Sequence, residues 1–218
     1  MTDEELKFCE TVVCAGFHVA KYNTFEIVEQ CLKQGIPGDF AECGVLYGAH
    51  PAIMLYVLRK HGVRDRLVHL FDSFEGIPRA SEQDGDHERQ IYGVTDGRMV
   101  STGVSVSSVE NTVNNLKRWG VYDQDLVRIH KGWFEETLER ESASIGRLAI
   151  LRVDVDLYMS TKAVFTHLYP HVSPGGFVID DDFGCVACRR AVEEVVGERE
   201  TVTLVNGQPT TGWWQKSS

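Results

Sequence analysis

From residue 38 onward, short apolar runs alternate with stretches of helical length, the pattern of strands and crossovers in a doubly wound α/β sheet. Strands are predicted at Asp39–Val45, Leu67–Asp72, Leu126–His130, Leu148–Asp154 and Gly176–Asp180. Helices are predicted between and after them, at Ala49–His61, Ser107–Trp119, Trp133–Arg140, Thr161–His171 and Val186–Val196. The tail has a different rhythm. Thr201–Val205, then Asn206-Gly207, then Thr211–Lys216 reads as a hairpin, because Asn-Gly supplies the positive φ angles of a tight turn. The expected fold is a mostly parallel sheet of about seven strands closed by an antiparallel C-terminal hairpin.

Residues 1–37 form an N-terminal cap with two amphipathic patterns, around Glu4–Lys21 and Thr24–Gln34, suited to covering the sheet, gating a site or pairing subunits. Phe25, Val28 and Leu32 recur at helical spacing and read as core packing. Glu75 to Gly103 is polar, Gly-rich and without apolar period; it reads as a surface insertion, lid-like over 75–104, in a main domain of 38–218.

Composition narrows the function. At 218 residues and 43% hydrophobic content the chain fits one domain with a sizeable core. Its net charge of −10, without a Lys/Arg cluster, opposes nucleic acid and anionic membrane surfaces. No apolar run reaches about 18 residues and the N-terminus is acidic, so a cytoplasmic setting is expected, with the six irregularly spaced cysteines reduced. Cys185-Val-Ala-Cys188 has no second pair to complete a zinc site. His130 is read as a structural histidine, His87 as a solvated loop residue, and Trp213 and Trp214 as packing for the sheet edge.

The candidate chemistry lies at strand ends. LRVDVD carries Asp154 and Asp156, and FVIDDDFG carries Asp180, Asp181 and Asp182. If these strands are neighbours, the acids approach one crevice, where oxygen ligands suit Mg²⁺ or a similar hard cation; the other reading is helix capping. GDFAECGVLYG places Glu42, Gly44 and Gly48 at the end of the first strand, and LVHLFDS ends the second on Asp72, where an acid can take ribose hydroxyls. A metal-dependent hydrolase or phosphotransferase of similar topology, and a catalytically silent binding module, remain open alternatives.

IPGDFAECGV, FDSFEGIP, KGWFEETL, LRVDVDLYMSTK, SPGGFVIDDDFG and CRRAVEEV, in this order, resemble the motifs of the macrocin O-methyltransferase family. These are metal- and S-adenosylmethionine-dependent enzymes that methylate sugar hydroxyls of antibiotics. The resemblance implies a class I methyltransferase, Rossmann-like fold, and it assigns Glu42, Gly44 and Gly48 to the methionine part of the cofactor. Asp72 then holds the ribose, Ser73 and Phe74 flank it, and Gly132 and Trp133 lie near the adenine. Asp154, Asp181 and Asp182 become metal ligands and Asp156 the general base; Asp180 stands where the family is usually apolar. The implied partner is a small-molecule hydroxyl acceptor, a glycoside, and a homodimer through the first helices is suggested. The loop ECGVLYGAH departs from the family's Trp-Arg-Gly-Gly variant at Leu46, Tyr47 and His50.

Overall fold

The computed structural model describes residues 1–15, 18–197 and 200–217. Its centre is a sheet built from β1 (Asp39–Cys43), β2 (Val68–Asp72), β3 (Val127–Lys131), β4 (Leu148–Val153), β5 (Val172–Asp180), β6 (Thr203–Val205) and β7 (Gln208–Gln215). The order is β3-β2-β1-β4-β5-β7-β6, with the first five strands parallel and β7 antiparallel to both neighbours. β1 pairs with β2 on one side and β4 on the other, so strand order reverses there and opens a crevice beyond the carboxyl ends.

Period-two alternation sends neighbouring side chains to opposite faces, both covered by helices, which is why the central strands are largely apolar, with Glu42, Arg152 and Asp180 as exceptions near their carboxyl ends. Phe40, Ile150 and Phe177 pack on one face against Val28, Ile53 and Leu116 of α2 (His18–Lys33), α3 (Ala49–Lys60) and α5 (Val109–Arg118). Ala41, Leu151 and Val178 face Leu138, Phe165 and Val192 of α6 (Phe134–Glu141), α7 (Tyr158–Leu168) and α8 (Val186–Val196). Trp214 is buried between Phe165 and Phe183, at ring separations of 6.0 and 6.2 Å. Among the described residues no helix is long and apolar enough to cross a membrane.

Several boundaries differ from the sequence reading. The helix expected over Glu4–Lys21 stops early: α1 (Asp3–Thr11) starts on a Thr2/Glu5 capping box, and Val12 is extended. The Val12 carbonyl accepts from the buried Lys21 Nζ at 2.6 Å. α2 therefore begins before Thr24, whose hydroxyl donates to the Ala20 carbonyl inside the helix rather than capping a new one.

The 75–104 insertion is folded. It contains α4 (Asp86–Tyr92) and bridges joining Pro78 to Ser101 and Ala80 to Val94. Buried Asp84 ties it down by accepting from Ser81 N, Ser81 Oγ and, at the start of α7, Tyr158 N, each at 2.7 Å. These polar bonds leave no apolar period for a sequence reading to detect. α7 also starts before the predicted Thr161 and gives way at Tyr169 to a 3₁₀ turn, and β5 starts before Gly176.

Candidate active site

The segments at the carboxyl ends of β1, β2, β4 and β5 surround a cavity of about 270 Å³. Glu42, Gly44, Asp72, Ser73, Trp133, Asp154, Asp156, Asp181 and Asp182 all line it; Gly48, Phe74, Gly132 and Asp180 do not. The acids meet because β4 and β5 are hydrogen-bonded neighbours in register Val153 to Asp180.

The crowding is offset from inside the protein by Arg152, a residue the sequence reading did not single out. It is 1% exposed and in register with Glu42. Its Nη1 lies 2.9 Å from Glu42 Oε1 and 3.0 Å from Asp154 Oδ2, and its Nη2 lies 2.6 Å from Asp181 Oδ1. A signal was present: Arg152 stands two residues before Asp154, on the same face of an otherwise apolar strand.

The remaining acids have distinct settings. Asp182 Oδ2 accepts from Val155 N at 2.9 Å and Asp156 N at 2.7 Å, which holds Asp156 in a left-handed conformation with φ 63°. Burial, then the Asp154 and Asp181 charges, raises Asp156 to about 7. Burial and Asp154 raise Asp181 to about 6. Asp182 and Glu42 are also pushed up, above all by burial. Asp180 is wholly buried and raised to about 8, chiefly by burial; its Oδ1 accepts from Asp182 N at 3.1 Å and its Oδ2 has no partner.

Among the described residues, no three Asp, Glu, His or Cys side chains already converge as a metal cage. Asp154 and Asp181 instead face Arg152. The donor chemistry nevertheless fits a hard dication: Asp154, Asp181 and Asp182 offer only oxygen, and their mutual repulsion is what a cation relieves.

On the other side of the cavity, Asp72 has a job that the sequence did not reveal. Its Oδ2 accepts from Val45 N at 2.7 Å and Leu46 N at 3.0 Å, and its Oδ1 from Phe74 N at 2.7 Å, so one carboxylate shapes the glycine turn and the loop after β2. Gly44 is required by packing: a Cβ there would overlap the Asp154 carbonyl oxygen, so the missing side chain serves strand contact. Gly48 caps α3 at φ 86°. Gly132 N donates to the Asp72 carbonyl at 3.0 Å and Trp133 is the N-cap of α6.

His130 is structural, as read: Nε2 lies 3.0 Å from His69 Nδ1, Nδ1 lies 2.7 Å from Glu141, and the ring stacks on Phe71 at 4.1 Å. His87 is exposed, now on α4. Cys185 and Cys188 are free thiols at the start of α8. His50 lines the cavity and is a second residue to which the sequence reading gave no role.

Residues 20–216 match the family described as Macrocin-O-methyltransferase (TylF). The mycinamicin III 3''-O-methyltransferase of Micromonospora griseorubida is 39% identical over 172 residues, covering 79% of this chain and 65% of that enzyme. The 8-demethyl-8-(2,3-dimethoxy-alpha-L-rhamnosyl)-tetracenomycin-C 4'-O-methyltransferase of Streptomyces olivaceus is 42% identical over 172 residues, 78% of this chain and 62% of its own. The chain thus spans just under two thirds of these relatives' length. Among solved structures, the O-methyltransferase NovP superposes with a TM-score of 0.78 at 35% identity, over 90% of this chain and 79% of that one. The calicheamicin methyltransferase CalS11, at TM-score 0.68 and 18% identity over 99% and 93%, shares the fold. With strand order, cavity and a match running from α2 to the last strand in agreement, the chain belongs to the macrocin O-methyltransferase family.

Proposed function

We propose that the chain is an S-adenosylmethionine-dependent O-methyltransferase that, with Mg²⁺ or another hard divalent cation, methylates a hydroxyl of a glycosylated natural product. The observation that carries this reading is the shared cavity, in which the glycine turn and Asp72 face the carboxylates after β4 and β5. A relative named for a rhamnosyl-tetracenomycin supports a sugar as acceptor. The free thiols of Cys9, Cys31, Cys43, Cys185 and Cys188 suit a reducing cytoplasm.

In this reading Glu42, Gly44 and Gly48 shape the seat of the cofactor's methionine end, Asp72 receives the ribose, with Ser73 and Phe74 beside it, and Gly132 and Trp133 border the adenine. Asp154, Asp181 and Asp182 hold the cation, which when bound supplies Lewis acidity that lowers the pKa of the acceptor hydroxyl. Asp156 takes the hydroxyl proton; its raised pKa of about 7 suits a general base near neutrality. The hydroxyl oxygen then forms its bond to the methyl carbon as the carbon–sulfur bond breaks, with no covalent enzyme intermediate. Ile77, Pro78 and Val155 provide an apolar part of the wall that keeps bulk water from the reacting atoms.

Calorimetry with S-adenosylmethionine, followed by transfer of its labelled methyl group to a panel of antibiotic glycosides with Mg²⁺ or with chelator, tests the reading. Binding and Mg²⁺-dependent labelling are expected. No cofactor binding overturns it; full activity in chelator removes the metal from it.

A further inference from the structure

We infer that Cys185 and Cys188 are a redox-active thiol pair that closes to a disulfide and so controls the loop carrying Asp182. The pair goes beyond the methyltransferase reading; only its effect on a cation rests on that reading. The two cysteines are the N-cap and the third residue of α8, a spacing that brings side chains together across a first helical turn, as in a capping box. The Cys188 thiol hydrogen-bonds the Cys185 sulfur, and the Ala187 and Cys188 amides lie around it. A helix start with a second thiol as donor favours the thiolate that attacks disulfides.

Access is divided as this chemistry requires. Cys185 is half-buried beside Val186, which is 75% exposed, whereas Cys188 is fully buried. An outside oxidant therefore meets Cys185, and Cys188 resolves the product. Cys9, Cys31 and Cys43 are buried, and burial pushes their thiols up, away from the reactive form. With glutathione disulfide as oxidant, the Cys185 thiolate bonds to one of its sulfurs as the glutathione S–S bond breaks and one glutathione leaves. Cys188 then loses its proton and bonds to the Cys185 sulfur, releasing the second glutathione. Two protein thiols are oxidised to one disulfide, and their hydrogens end on the two glutathione thiols. The loop transmits the change: Cys185 N donates to the Asp182 carbonyl at 2.8 Å, and Gly184 N to the Thr210 carbonyl at 2.8 Å. A Cβ at Gly184 would lie 2.7 Å from Thr210 Cα, so the loop has no slack there, and a shift of Cys185 towards Cys188 passes to Asp182.

The test treats the protein with glutathione disulfide, maps its cysteines by digestion and mass spectrometry, and measures Mg²⁺ binding by calorimetry before and after. A Cys185–Cys188 cross-link is expected, reversed by dithiothreitol, with Mg²⁺ affinity lower by about tenfold or more in the oxidised protein, the scale of disturbing a ligand's support. Cys188→Ser should stop at a stable glutathione adduct on Cys185. Cys185→Ser should form neither product and should bind Mg²⁺ equally with and without oxidant. The wild-type cross-link decides the pair even if a variant fails to fold. No cross-link, or glutathione added as readily to another cysteine, overturns the pair. A cross-link that leaves Mg²⁺ affinity unchanged overturns its control of the Asp182 loop. A reduced protein that binds no Mg²⁺ overturns the cation reading instead, and the cross-link still decides the pair.

Discussion

Arg152 holds Glu42, Asp154 and Asp181 together in a buried cluster. Its replacement by methionine leaves those carboxylates without their cation, and removing one partner of a buried ion pair typically costs about 3–5 kcal/mol. Urea unfolding should show that loss, and Mg²⁺ should recover more stability in Arg152→Met than in the wild type, because the dication substitutes for the missing charge. In the proposed mechanism Asp156 has a different task, as the base. Asp156→Asn should retain cofactor and metal binding but lose turnover by roughly 10²–10⁴-fold, the usual contribution of general-base catalysis. Restoration of its rate by excess Mg²⁺ would make Asp156 a ligand instead. The acids were legible because they cluster at two strand ends; Arg152 was legible only through Asp154 two residues on, and His50 not at all, because Glu42 lies on β1 and Thr24 on α2.

At the scale of elements, the insertion is pinned at its base and carries two wall residues, Ile77 and Pro78, into the cavity. That arrangement suits a lid that tightens on ligand binding. Asp84→Ala removes the tie to α7 and Ser81, with an expected cost of about 1–3 kcal/mol for the groups left unpaired. Limited proteolysis should then cut within 75–104 faster than in the wild type, and S-adenosylmethionine should slow cleavage of the wild type. Cleavage unaffected by either change would leave the insertion a static wall. Strand positions were legible through their apolar runs. The break at Val12 and the fold of the insertion were not, since both depend on polar tertiary bonds, from Lys21 and to Asp84.

For the whole molecule, the buried acids set a pH dependence. Asp156, Asp180 and Asp181 have folded-state pKa values of about 7, 8 and 6, each raised chiefly by burial. An unfolded Asp titrates near 4, so the folded ligand-free protein binds more protons between about pH 4 and 8, and stability falls as pH rises through that window. Buried His50 and His130 are lowered, which removes stability as pH falls below about 6.5. Above that point the carboxyl trend is opposed by Cys185, which its bond with Cys188 lowers to about 6, and the raised carboxyls outnumber it. Unfolding midpoints at pH 6.5 and 8.5 should therefore decline in the wild type, and decline less in Asp180→Asn. The core is tested separately: Trp214→Ala should cost about 3–5 kcal/mol, because its neighbours Phe165 and Phe183 cannot close the cavity left behind.

The sequence by itself determined the α/β class, the parallel core with its terminal hairpin, and the two strand ends that bear the acids, because each is written in local periodicity or adjacent residues. Only the tertiary structure decided that Arg152 neutralises part of the cluster, that Asp72 holds the glycine turn, that Gly44 clears the Asp154 carbonyl, and that Thr24 orients His50. Those relations join residues far apart in the chain, and no local pattern encodes a distance between strands.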